Sequence, residues 1–175
     1  MPAMSLSIRE ASFEDPADGA AILHVLDTYA ADPVGGGRPL TAEARARLLP
    51  ALRGHGKALV LLAFDDGEPV GLAICFLGLS TFQARALLNI HDLAVVPTHR
   101  GRGIGRSLLA AAESEAVRRG CCKLTLEVQD DNTRARHLYE RFGFTDYVLN
   151  EPVATRFLCK ALAAPEPSGV ESSSG

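Results

Sequence analysis

An α/β layer domain is the fold class that this 175-residue sequence predicts, and three observations predict it. Short apolar runs rich in branched residues alternate along the chain with longer segments whose apolar residues recur at helical spacing. Clusters of Gly, Pro and Asp separate the two kinds. A strand-like run ending at Pro97 passes through three alternating glycines, Gly101, Gly103 and Gly105, into an apolar-periodic segment. The length suits one domain, which at this size buries roughly 70% of its unfolded surface.

The elements follow in order. Ser5 to Ala11 reads as a first strand, closed by the charged loop around Asp15 and Pro16. In the helix Ala17 to Ala31, Ile22, Leu23, Val25, Leu26 and Tyr29 form one stripe. Pro33 and Gly35-Gly36-Gly37 break the chain, and Thr41 can cap a second helix to about Leu52. Lys57 to Phe64 and Pro69 to Leu79 are strands joined by a hairpin signal, Asp65-Asp66-Gly67. A strand over Leu87 to Val96, a helix after Gly103, a strand over Lys123 to Gln129 and a helix from Asn132 come next. Two short strands, about Thr145 to Leu149 and Ala154 to Lys160, bring the expected total to seven. The domain is read as residues 1–162. Residues 163–175, rich in Pro, Ser, Gly and Glu, read as a disordered tail.

Composition narrows the function classes. The 47% hydrophobic and 22% charged residues are ordinary for a globular fold. A net charge of −3 gives no bulk attraction to nucleic acid. Cys75, Cys121, Cys122 and Cys159 have no C-x-x-C pairing, and no His or Cys cluster has zinc spacing, so no metal is expected. The start of the chain lacks the basic and apolar segments of a signal peptide, and its apolar runs are too short for a bilayer. A soluble, cytoplasmic protein without membrane partners is expected.

The glycine-rich crossover carries the chemistry. Free N–H groups at a helix start, with the helix dipole, seat an anion. Arg100, Arg102 and Arg106 add positive charge beside that seat. A Walker-type loop is excluded, because five positions after Gly101 stands Arg106. The dinucleotide fingerprint is excluded too, its third glycine falling at Arg106 or Leu108. What remains, R-x-x-G-x-G from Arg100 to Gly105 directly after a strand, resembles the pyrophosphate loop of the GNAT N-acetyltransferase superfamily. The segment from Asn132 to Phe144 resembles the later motif of that family, N-x-x-A-x-x-x-Y-x-x-x-G-F. Here Asn132 is a good N-cap and Gly143 a good helix stop, while Ala135, Leu138, Tyr139 and Phe142 share a face.

The resemblance spans about Ser5 to Leu162 and implies the GNAT fold. That is a single mixed, largely antiparallel sheet with helices on both faces and a splayed pair of parallel strands. It also implies acetyl-CoA as co-substrate. Leu93, Ala94 and Val95 would meet the pantetheine, mostly through backbone atoms. Gly101, Arg102, Gly103, Ile104, Gly105 and Arg106, with Arg100, would hold the pyrophosphate. Asn132 and Tyr139 would lie near the thioester. Tyr139 then has two readings, a packed core tyrosine with a bonded hydroxyl or the acid that protonates the departing thiolate, which the resemblance favours.

His91 and Asp92 form the pair of interest for a base. Strand neighbours point to opposite faces, so only one is expected to face the substrate. From Phe76 through Val95 the chain also resembles the spermidine/spermine and diamine acetyltransferases, which carry glutamate where His91 stands. A neutral imidazole supplies no equivalent charge, which disfavours polyamines. His91 is the candidate general base, against a strand histidine bonded to a neighbour; Asp92 is read as a structural group on the other face. His24 and His137 read as packed or surface residues. Asp27, Tyr29, Asp32, Glu127 and Gln129 stand where they could shape an acceptor pocket.

The expected function is therefore transfer of acetyl from acetyl-CoA to a primary amine in a ternary complex. The acceptor is a small-molecule amine or a peptide amine, and a homodimer is possible. The alternatives are an acetyltransferase of a protein N-terminus or lysine, or a non-catalytic acyl-CoA sensor.

Overall fold

The computed structural model describes residues 5–147 and 158–162. It divides into two compact units, Met1–Phe144 and Thr145–Gly175. The first holds strands β1 (Leu6–Glu10), β2 (Ala58–Asp65), β3 (Glu68–Ser80), β4 (Arg85–Val95) and β5 (Leu124–Leu126). Its helices are α1 (Pro16–Ala31), α2 (Ala42–His55), α3 (Ile104–Arg118) and α4 (Thr133–Phe142), and 3-10 turns occupy Pro33–Gly35 and Pro97–His99.

The strands lie in the order β1-β2-β3-β4-β5. β1 to β4 are antiparallel, and β5 joins β4 in parallel, so the sheet is mixed as expected. The β2–β3 turn has Asp66 at φ 50° and Gly67 at φ 86°. Positive φ at both central residues is the twist that suits a two-residue hairpin.

Strand alternation divides the core in two. Leu59, Leu61, Ala73, Cys75, Leu88 and Ile90 face α3, whose Ile104, Leu108 and Leu109 cover them. Val60, Leu62, Leu72, Ile74 and Ala94 face α1, which supplies Ile22, Val25 and Leu26. Helices thus cover both faces. The caps predicted for the helices form: the Thr41 hydroxyl accepts from the Ala44 amide at 3.1 Å and the Asn132 carbonyl from the Ala135 amide at 3.1 Å. Gly143, at φ 109°, ends α4.

The expected count of seven strands is corrected to five among the described residues. Half of the residues in the proposed strands near Thr145–Leu149 and Ala154–Lys160 lie outside those described, and the described parts, 145–147 and 158–160, carry no strand. The expected tail, 163–175, also lies outside them. The strand expected over Lys123 to Gln129 contracts to Leu124–Leu126, because its pairing with β4 ends there. Among the described residues no helix is long and apolar enough to cross a membrane.

Candidate active site

The site begins with a fault in β4. Against β3, Asp92 stands opposite Ile74 but Ile90 stands opposite Cys75, so His91 is the extra residue of a β-bulge. The bulge resets the alternation. Leu88 and Ile90 face the α3 side, then Leu93 and Val95 do, while Ala94 faces α1. His91 packs edge-on against Phe76 at 5.5 Å between ring centroids, and Phe76 belongs to the α1 side. Asp92, two before Ala94 and opposite Ile74, is on that side as well. The expectation that only one of the pair faces the site is therefore corrected: both line the cleft.

Just past the bulge the sheet opens. β4 and β5 pair at Leu88–Leu124, Asn89–Thr125 and Ile90–Leu126 and no further. The Val96 amide donates to Val70 on β3 at 2.9 Å. By alternation, the backbone groups of Leu93 and Val95 point the other way, to the released edge. A cleft of about 860 Å³ fills the gap, with His91 to Val95 on one wall and Glu127 and Gln129 on the other.

At one end of the cleft stand His91, Asp92 and Tyr29. Among the described residues, the Asp92 carboxylate has neither a hydrogen bond nor an ion pair. Burial raises its pKa, and a charged His91 beside it works in the opposite sense. Tyr29 is also pushed up, by burial first and then by the charges of Asp92 and Asp32.

The glycine-rich loop forms the other end. Gly101 (φ 79°) and Gly103 (φ 83°) adopt left-handed backbone, and a Cβ on either would meet nothing within 4 Å. Conformation, not crowding, requires these two. Gly105 differs: its Cβ would stand 3.2 Å from Leu138 Cδ2. Gly103 caps α3 with no side chain, so the first amides of the helix stay available at the cleft. The three arginines diverge. Arg100 donates to the Val95 carbonyl (3.1 Å) and pairs with Asp32 (2.9 Å). Arg102 turns to Asp65 at 3.9 Å and does not line the cleft. Arg106 lines it, its guanidinium 5.8 Å from the centre of the Phe142 ring.

α4 closes the remaining side. Tyr139 lines the cleft with its ring edge-on to Phe144, and its hydroxyl has no hydrogen-bond partner among the described residues. The bonded hydroxyl of the core-tyrosine reading is absent there. Burial first, then Tyr29, pushes its pKa up to about 12. Asn132 lines the cleft while its side chain caps the helix.

Arg134 and Arg141, not singled out from the sequence, line it too. Their seven-residue spacing, with Leu138 between, marks one helix face and could have located them. His24 and His137 are exposed. Asp27 ties α1 to the second helix through the Leu40 amide and Arg45, and does not line the cleft. Among the described residues no three metal-ligating side chains cluster.

Known proteins are similar to this chain in sequence and fold. The chain is 35% identical over 115 residues to an uncharacterized N-acetyltransferase, YhfO, of Bacillus subtilis (strain 168), covering 62% of this chain and 76% of that one. It is 43% identical over 79 residues to the streptothricin acetyltransferase of Streptomyces lavendulae, a match spanning 45% of this chain and 40% of that protein. Its fold matches an aminoglycoside N-acetyltransferase, AAC(6')-Iy, solved with CoA, at TM-score 0.67 and 17% identity, over 91% of this chain and 99% of the other. The family model described as Acetyltransferase (GNAT) family matches residues 23–144, more than half of the sequence and every wall of the cleft, and the chain belongs to that family.

Proposed function

We propose that this acetyltransferase moves acetyl from acetyl-CoA to the primary amine of a small cationic molecule, by direct attack in a ternary complex. The observation that carries the reading is the opening of β4 from β5 at Ile90–Leu126, with an anion seat at one end and an unpaired carboxylate at the other. An extended pantetheine arm would bond to the released groups of Leu93 and Val95 as an added strand does. The amides of Gly101 to Arg106, with the charge of Arg106, suit a pyrophosphate. Arg134 and Arg141 extend that positive end.

The residues then divide the work. The Asp92 carboxylate would draw in an ammonium group and stabilise a protonated His91. His91 takes the proton that the amine must lose to attack. The released amide of Leu93 suits the carbonyl oxygen as negative charge gathers there. The nitrogen bonds to the thioester carbon, the C–S bond breaks, the Tyr139 hydroxyl gives its proton to the leaving sulfur, and the second proton shed by the new amide nitrogen restores that hydroxyl through solvent. A hydroxyl pushed up to about 12 stays protonated across the working range, the state a donor needs. The similarity to a streptothricin acetyltransferase supports a small-molecule acceptor.

The first test is incubation with acetyl-CoA and a pool of amines, read by product mass. The pool should hold streptothricin, aminoglycosides, polyamines, amino acids and short peptides. An acetylated product that fades in Tyr139→Phe is expected. No product, with acetyl-CoA binding demonstrated separately, would leave the sensor alternative standing.

A further inference from the structure

The Arg100 side chain spans two parts of the cleft. Its Nε donates to the Val95 carbonyl at 3.1 Å, and its Nη1 reaches Asp32 Oδ2 at 2.9 Å across 68 residues of sequence. Arg100 and Asp32 are largely covered, with side-chain exposures of 25% and 13%.

Asp32 in turn organises the segment that follows α1. Its Oδ1 accepts from the Val34 amide (3.0 Å), and its carbonyl accepts from Gly35 and Gly37 (both 2.9 Å). The 3-10 turn Pro33–Gly35 and Gly36 line the cleft beside Tyr29. This turn has no slack. A Cβ at Gly35 would fall 1.9 Å from the Tyr29 carbonyl oxygen. A displacement of Asp32 therefore moves the whole wall. The other end of the same guanidinium belongs to the first residue of the anion-binding loop, so each segment restrains the other.

We infer that the Arg100–Asp32 pair is a positioning device, coupling occupancy of the pyrophosphate loop to the order of the Pro33–Gly37 wall. A ligand that stills the loop stills Arg100, and through Asp32 it orders the turn. Coupling between two sites is reciprocal, so an acceptor bound at the wall tightens the cofactor in the same measure. The inference rests on the reading of the loop as a CoA site.

Hydrogen exchange with coenzyme A as the probe tests it without knowledge of the acceptor. In the wild-type protein, saturating coenzyme A should slow exchange at the Gly35 and Gly37 amides, by about 5-fold or more if the coupling lies in the usual range. Asp32→Asn should still bind coenzyme A, within about 3-fold by calorimetry, and lose the slowing. Arg100→Lys keeps the charge but cannot fork to Val95 and Asp32 together, and should lose the slowing likewise. Unchanged slowing in Asp32→Asn overturns the inference, and so does a 10-fold or greater loss of coenzyme A affinity there. Wild-type protein that binds no coenzyme A overturns the underlying reading as well, which separates the two failures.

Discussion

The two edges of β4 do opposite things. Toward β3 the strand is paired from Arg85, opposite Ser80, to Val95, opposite Gly71, with the single irregularity at His91. Toward β5 it is held only from Leu88 to Ile90 and is then released. One edge is held along its length by pairing, and the other leaves backbone groups without a strand partner. The bulge permits both, because it turns His91 and Asp92 into the cleft while Leu93 and Val95 return to the core beside α3. Substitutions on the two edges should separate stability from turnover.

The largest effect is expected on the open edge. Tyr139→Phe removes the hydroxyl but keeps the ring against Phe144, and should lower turnover by about 10²–10⁴-fold. Asp92→Asn should lower it by a comparable factor. In Tyr139→Phe the dissociation constant for acetyl-CoA should stay within a few-fold, as stopped-flow or calorimetry would register. Equal losses in turnover and cofactor affinity would make Tyr139 a structural residue. Because burial pushes the Tyr139 hydroxyl up to about 12, any alkaline fall in rate below pH 10 should survive its removal.

Where β4 is paired on both sides, the order of effects reverses. Leu88, with 0% exposure, sits in the α3-side core. Leu88→Ala should cost about 2–5 kcal/mol in urea unfolding, since the cavity cannot close around a rigid sheet. Turnover per folded molecule should change little. A variant that keeps its stability and loses turnover would dissolve the distinction between the edges.

The sequence made much of this visible and hid a definite remainder. Helical spacing, the Asp66-Gly67 turn and the Asn132 and Thr41 caps are local signals, and local signals survive in a single sequence. The bulge broke the simple alternation rule. Its trace was present, since Leu88, Ile90, Leu93 and Val95 step by two, three and two, a rhythm that a regular strand does not have. The fate of the arginines was hidden for another reason. Arg100 finds Asp32 and Arg102 finds Asp65 through tertiary contacts with no sequence period. The place of Asp92 in the cleft was hidden with the bulge, and those of Arg134 and Arg141 because they lie off the apolar stripe of α4.

A smaller effect is expected where the open edge meets the loop. Gly103→Ala forces a side chain into the left-handed backbone at φ 83°, which costs about 1–2 kcal/mol. No neighbour obstructs the new methyl group. The cost should therefore appear as weaker coenzyme A binding or as a lower melting temperature, depending on whether the loop relaxes. Full affinity and full stability together would mean that the loop does not need its turn.

The smallest effect compares two covered carboxylates, Asp18 and Asp92. Asp18 is bonded by both terminal guanidinium nitrogens of Arg9 (2.6 and 2.7 Å) and by the Ser12 amide (2.8 Å). Arg9 first among these causes lowers its pKa. Its contribution to stability is thus present above the ordinary carboxylate pKa and is lost as pH falls through the lowered one. Asp92 has the reverse sign. Burial raises its pKa, so its contribution is full below the unfolded value and disappears as pH rises through the raised one. At pH 8, Asp18→Asn should melt below the wild type. Asp92→Asn should melt above it, within the roughly 2–4 °C that 1 kcal/mol is worth in a domain of this size. Both differences should shrink toward acid pH. If Asp92→Asn instead melted lower at pH 8, its carboxylate would be an anchor for the fold, and His91 would have to act as base without its support.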